Sequence, residues 1–172
     1  MDGTIIAGVL LGFELYVFRT MRPRIVALGR TADGAYVDAE EHNLKTCPYI
    51  SVLRKENPLF FVNSSYFENT LLERMATKPR LKPVVVDCEA ISDIDVTGEQ
   101  MLRETALRLR ASGTEMLFAC AKGKLQAAFI QSGLIQQIGE KLFFQTRAQA
   151  LEYAWQRLRN NYAEICALRI PD

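Results

Sequence analysis

The stretch KPVVVDCEAISDIDVTGEQMLR, residues 82–103, decides how the rest of the chain is read. The dense apolar run Val84-Val85-Val86 ends in Asp87, Cys88 and Glu89, the pattern of a strand buried on both faces. A short polar turn follows, and Asp95-Val96-Thr97-Gly98 opens a helix. Thr97 is the expected N-cap, because Gln100 three residues on completes a capping box.

Downstream of that core the helix runs to Ala111, with Leu102, Ala106 and Leu109 at helical spacing. Glu99 with Arg103, and Glu104 with Arg108, are read as outward i,i+4 pairs. Ser112-Gly113 stops it. Thr114 to Ala121 reads as a second buried strand, and Lys122-Gly123-Lys124 starts a helix over 125–132. Leu151, Ala154, Trp155 and Leu158 then recur at i, i+3, i+4 and i+7 within a docked helix over 147–158. Upstream, Ile25 to Leu28 reads as a strand closed by Gly29, and 31–48 as polar and irregular. Tyr49 to Lys55 and Leu59 to Val62 are expected to pair as a hairpin around Asn57-Pro58, ahead of a helix over 66–75. Strands alternating with helices predict an α/β sheet with helices packed on it.

The 172 residues provide one domain and an appendage. Hydrophobic residues make up 49% and charged residues 24%, a globular composition. Lys and Arg number 21 against 20 acids, a net charge of +1. That balance lacks the basic excess of a general nucleic-acid binder, so no nucleic-acid partner is expected. Cys47, Cys88, Cys120 and Cys166 form no C-x-x-C pair, and His42 is the lone histidine. No zinc site is expected, nothing in the spacing demands a disulfide, and a reducing compartment fits the set.

From Thr4 to Phe18 the chain reads TIIAGVLLGFELYVF, interrupted only by Glu14. About 15 residues make a helix of about 22 Å, short of the ~30 Å of a bilayer core. The segment lacks the charged leader and cleavage site of a secretory signal. Three readings stand: the end of a membrane helix, an interfacial helix, or a helix packed on the domain. Arg19, Arg22 and Arg24 directly after the apolar run obey the positive-inside pattern. Gly8 and Gly12 form a G-x-x-x-G that suits close helix approach, whereas Glu14 disfavours free lipid exposure.

The D-x-[ST]-G turn between strand and capped helix resembles the core of a STAS domain, shared by bacterial anti-sigma-factor antagonists and SulP-type anion transporters. FRTMRPRIVALGR, residues 18–30, is similar to the SulP junction between the last transmembrane helix and that domain. PLFFVN, residues 58–63, is similar to a phrase that precedes the first STAS helix. The resemblance covers residues 18–158. It implies a STAS-like, anti-sigma-factor-antagonist-like mixed β-sheet with helices packed on it. Residues 1–20 are then the end of a transmembrane or membrane-proximal helix, 23–160 the STAS domain and 161–172 a C-terminal tail.

In the antagonists the first Ser of the turn accepts phosphate, which adds charge at a helix N-terminus. Here Asp95-Val96-Thr97-Gly98 puts Val96 there, and Thr97 is assigned to capping; both point to the transporter branch. Lys122, Gly123 and Lys124 could hold an anion or nucleotide phosphate on free N–H donors, against the plainer reading of a surface turn. Asp93 and Asp95 are read as a solvated turn and a cap neighbour. No nucleophile–base set can be assembled, so neither catalysis nor a cofactor is expected. The resemblance implies a regulatory and interaction domain of a sulfate or other anion permease, at the cytoplasmic face of the membrane. Its expected partners are the membrane domain of the same transporter, a second STAS copy, and the membrane itself through residues 4–18. The alternative is a freestanding signalling module of antagonist type.

Overall fold

A computed structural model describes residues 2–158. Helix α1 (Asp2–Met21) leads into strands β1 (Ile25–Arg30), β2 (Tyr36–Asp38) and β3 (Ser51–Lys55), then α2 (Phe61–Thr77) and β4 (Pro83–Asp87). There follow α3 (Val96–Ala111), β5 (Glu115–Ala119), α4 (Gly123–Gln131), α5 (Leu134–Ile138), a 3-10 turn (Glu140–Leu142), β6 (Phe143–Phe144) and α6 (Arg147–Leu158). The six strands form one sheet in the order β2-β1-β3-β4-β5-β6. The β2-β1-β3 pairs are antiparallel and the β3-β4-β5-β6 pairs parallel, so the sheet is mixed.

The parallel half is the core. All five residues of β4 are buried, as the unbroken valine run requires of a strand covered on both faces. Leu53, Val86 and Phe118 occupy matched register positions on β3, β4 and β5. Phe118 stacks on Phe143 at 4.7 Å between centroids, and Phe129 meets both rings edge-on. This trio fastens the two-residue β6 and α4 to the sheet through offset and T-shaped contacts. Helix α6 lies against β4, β5 and β6, burying Ala150, Leu151, Ala154, Trp155 and Leu158, the face expected from its periodicity.

Four expectations change. No hairpin forms at 49–62: β3 is flanked by β1 and β4, and α2 already begins at Phe61. Leu59 instead makes a parallel bridge to Ile94, which the apolar triplet Phe60-Phe61-Val62 does not disclose locally. The segment 31–48 contains β2, laddered antiparallel to β1, with Asp38 also ion-paired to Arg24 and Tyr36 under the Arg147 guanidinium. On α3, Glu99 is buried and not outward; Glu104 accepts from Gln100 Nε2 at 2.8 Å, and Arg108 bonds Glu68 of α2. Cys47 is buried and disulfide-bonded, against the reading of a fully reduced set, whereas Cys88 and Cys120 are buried free thiols.

Helix α1 has 20 residues, a length of about 30 Å, because it runs beyond the apolar stretch at both ends, from Asp2 and on through Arg19 to Met21. It therefore has the span that the apolar run alone lacks. Its window Thr4–Met21 has mean hydropathy 1.5 and is 0% buried.

Candidate functional site

The turn singled out by sequence is one half of a paired helix start. The Leu59–Ile94 bridge places the residues before α2 and α3 side by side: Leu59 N–H donates to Asp93 O at 3.0 Å and Asp95 N–H to Leu59 O at 3.2 Å. Asp95 caps α3, its Oδ1 accepting from Gly98 N–H at 2.8 Å. Its Oδ2 accepts from Phe61 N–H, also at 2.8 Å. One carboxylate thus satisfies orphan donors of two helices. Thr97 is not the cap, contrary to the capping-box reading: it is the second residue of α3 and its side chain is exposed. Asp95 is the cap through the local bond to Gly98, three residues on, and Asp caps better than Thr; its second oxygen adds a bond to a helix distant in sequence.

Gly98 fits this arrangement for want of a side chain. A Cβ there would sit 2.6 Å from Leu59 O, inside any real contact. At the tip, Val96 is 79% exposed and Phe61 is 68% exposed, although both are large and apolar.

Asn63 ties the paired start to α1. Its Oδ1 accepts from Phe60 N–H at 3.2 Å, and its Nδ2 donates to Pro58 O at 3.2 Å and to Thr20 O at 3.4 Å. The Thr20 carbonyl belongs to the last turn of α1, where carbonyls have no partner within the helix. Beneath this joint Lys55 is fully buried, with Nζ donating to the carbonyls of Glu56, Asn57 and Pro58 at 3.4, 3.0 and 2.6 Å. Burial pushes its ammonium down to about 8, while the three carbonyls favour the charged form.

A second polar cluster lies beyond the ends of the parallel strands. The fully buried carboxylate of Asp87 accepts from Arg54 Nε at 2.8 Å and from an Arg147 guanidinium nitrogen at 2.9 Å. Glu89 completes it, 2.8 Å from Arg147, 3.5 Å from Arg54 and 3.8 Å from Lys122 Nζ. Burial acts to lower the Arg147 pKa, but Asp87 and Glu89 outweigh it and raise it. Burial, with Asp87 second, pushes the Cys88 thiol up, so that thiol is a packing group and not a nucleophile. Sequence reasoning noted Asp87 and Glu89 only as the end of a strand. The one local signal was a charge closing a run that is otherwise wholly apolar.

The structure does not bring Lys122, Gly123 and Lys124 to the Asp95 turn. They open α4 beside Glu89, with Lys122 as N-cap making no side-chain cap bond and Gly123 at φ 55°. His42 stands in a loop, its Nδ1 3.1 Å from Asp38 O.

Residues 41–150 match the model of the STAS domain. The chain is 25% identical over 164 residues to the "Sulfate transporter 3.2" of Arabidopsis thaliana, an alignment covering 87% of this chain and 25% of that protein. It therefore spans about a quarter of the length of the curated relatives it matches. The structure of the murine Solute Carrier 26 family member A9 anion transporter in the inward-facing state superposes with a TM-score of 0.74 at 16% identity, covering 88% of this chain and 25% of that one. A putative anti-sigma factor antagonist of Thermotoga maritima superposes with a TM-score of 0.56 at 14% identity, covering 64% of this chain and 91% of that one. Both likenesses concern the fold alone. With the matched segment running from before β3 into α6, and with the mixed sheet and paired helix starts in place, the chain belongs to the STAS domain family.

Proposed function

We propose that this chain is the cytoplasmic STAS domain of a SulP-type sulfate or other anion permease, joined to the end of its last transmembrane helix, and that it acts in assembly, membrane delivery and regulation of transport. The observation that carries the reading is α1. It is apolar with no buried residue in its Thr4–Met21 window, carries Arg19 in its last turn and is followed by Arg22 and Arg24, and it is bonded to the domain at Thr20. An exposed apolar helix of that length has its natural environment in lipid or against other membrane helices. In this reading residues 1–20 lie in the membrane, 23–160 form the domain and 161–172 a tail. The partners are the permease's own membrane domain and a second STAS copy, and no catalytic step is assigned. The Lys122-Gly123-Lys124 turn has no role here, since Lys122 already leans on Glu89.

The test compares the full chain with a version beginning at Pro23 by size exclusion, with and without detergent. The full chain is expected to need detergent and the shorter one not. Equal behaviour of the two without detergent overturns the membrane reading.

One observation favours a second reading, a signalling module switched by a kinase. Val96 offers no acceptor, but the Thr97 side chain is exposed in the first turn of α3 and is not the cap. A phosphate there would sit at a helix N-terminus, where negative charge is favoured. Mass spectrometry after incubation with an anti-sigma-type kinase separates the two: stoichiometric phosphate on Thr97 supports the switch, and an unmodified turn supports the permease domain.

A further inference from the structure

The exposed apolar pair Phe61 and Val96 has no covering element in the fold, and its position says what meets it. We propose that these two residues dock into the headgroup layer of the lipid bilayer, making the paired helix start a membrane-resting face of the domain. The proposal rests on α1 being a membrane helix, as argued above.

Arg19 in the last turn of α1 and Arg22 just after it mark where the helix leaves the hydrocarbon core, so that turn lies at the boundary. Outside that core lie roughly 5–8 Å of headgroups on each side. The Asn63 amide is 3.4 Å from the Thr20 carbonyl in that last turn, and Phe61 stands two residues before Asn63 at the very start of α2. Val96 follows Asp95 in the chain, and the Asp95 carboxylate that caps α3 also holds the Phe61 N–H, so the two residues open the same paired start. Both side chains are therefore within headgroup reach when α1 is inserted. Phe is among the residues that interfacial segments bury at the headgroup–acyl boundary.

Charge agrees. Arg19 and Arg22 are exposed cations at the end of α1 that Asn63 ties to this face, the second lying over the Phe18 ring at 4.7 Å. The N-terminal, electropositive ends of α2 and α3 both belong to it. The Asp95 carboxylate between them is occupied by two backbone N–H groups. Such a surface suits anionic lipid better than another apolar protein face.

The experiment reconstitutes the full chain into vesicles of phosphatidylcholine and phosphatidylglycerol, with and without bromine-labelled acyl chains that quench tryptophan at short range. The reporters are Phe61→Trp and Val96→Trp, both at exposed positions that tolerate the larger ring. Tyr16→Trp reports on α1, and the wild-type chain, with Trp155 in α6, gives the background. The expected result is bromolipid quenching of Phe61→Trp and Val96→Trp above the wild-type loss, with emission shifted to the blue. Quenching of Tyr16→Trp without quenching of the other two overturns the docking face and leaves the membrane helix standing. A blue shift at position 61 without quenching also overturns it, in favour of a protein partner. No quenching at any of the three positions removes the membrane-helix reading itself.

Discussion

Replacing Asp95 should destabilise the domain far more than replacing Thr97, although the local sequence rule favours Thr97 as the cap. The Asp95 carboxylate accepts two backbone N–H bonds of 2.8 Å, from Gly98 and Phe61. Loss of an N-cap costs about 1 kcal/mol. The second bond is charge-assisted, and its loss strands a further backbone donor, about another 1–2 kcal/mol. Asp95→Ala is therefore expected to cost about 2–3 kcal/mol. In a chain of this size that lowers the melting temperature by about 5–10 °C. Asp95→Asn should fall between, since its oxygen can still cap α3 while its NH2 group would face the Phe61 N–H, donor to donor. Thr97→Ala should change stability by less than about 0.5 kcal/mol, as at other exposed positions. Thermal unfolding in detergent, read by circular dichroism, ranks the three variants. A Thr97→Ala loss equal to that of Asp95→Ala refutes the shared-carboxylate account.

Gly98→Ala should lose about 1–3 kcal/mol by overpacking despite the higher helix propensity of alanine, because the added carbon meets the Leu59 carbonyl at 2.6 Å; a stabilised variant in the same melt would refute the close approach. Asp87→Ala should cost about 3 kcal/mol or more by leaving two half-buried arginines without their shared acceptor, and Glu89→Ala much less, since Glu89 is 41% exposed; urea titration should show that order, and equal losses would contradict it. Lys55 gives a pH dependence of definite sign. Its folded pKa lies near 8, below the ordinary value, so below pH 8 both states are protonated and the native state bears the full burial penalty. Between about 8 and 10.5 the unfolded chain binds more protons than the folded one, and stability rises with pH. Lys55→Met should flatten that rise, and an unchanged slope would show that the three carbonyls cancel the burial.

What the sequence disclosed follows the range of the interactions. Helix α6 was legible to the residue, because Leu151, Ala154, Trp155 and Leu158 form a local apolar stripe on a capped, amphipathic segment. Strand β4 was legible because three consecutive valines admit little else. The start of α2 was not. Phe60-Phe61-Val62 has the composition of a strand, and the helix there is fixed by Asn63 and by Asp95, 34 positions beyond Phe61. The capping box misled at Thr97 because Asp95 is the better cap and bonds Gly98. The Asp87 cluster gathers residues 33 and 60 positions from its centre, so no window along the chain contains it. Strand β2, three residues long, has no apolar pattern to betray it, and its partners, the β1 ladder, Arg24 and Arg147, are distant in sequence.

The joint at Asn63 has a mechanical consequence. Between Met21 and Ile25 only three residues intervene, and the middle one, Pro23, is buried and fixed in φ by its ring. Three extended residues reach about 10 Å at most, and a second tether from Asn63 holds the same helix end by its Thr20 carbonyl. Two attachment points make a bracket where a single peptide link would make a swivel. Rolling α1 about its axis would break the Thr20–Asn63 bond as well as twist the peptide link, so the two attachments together resist a turn that the link alone would permit.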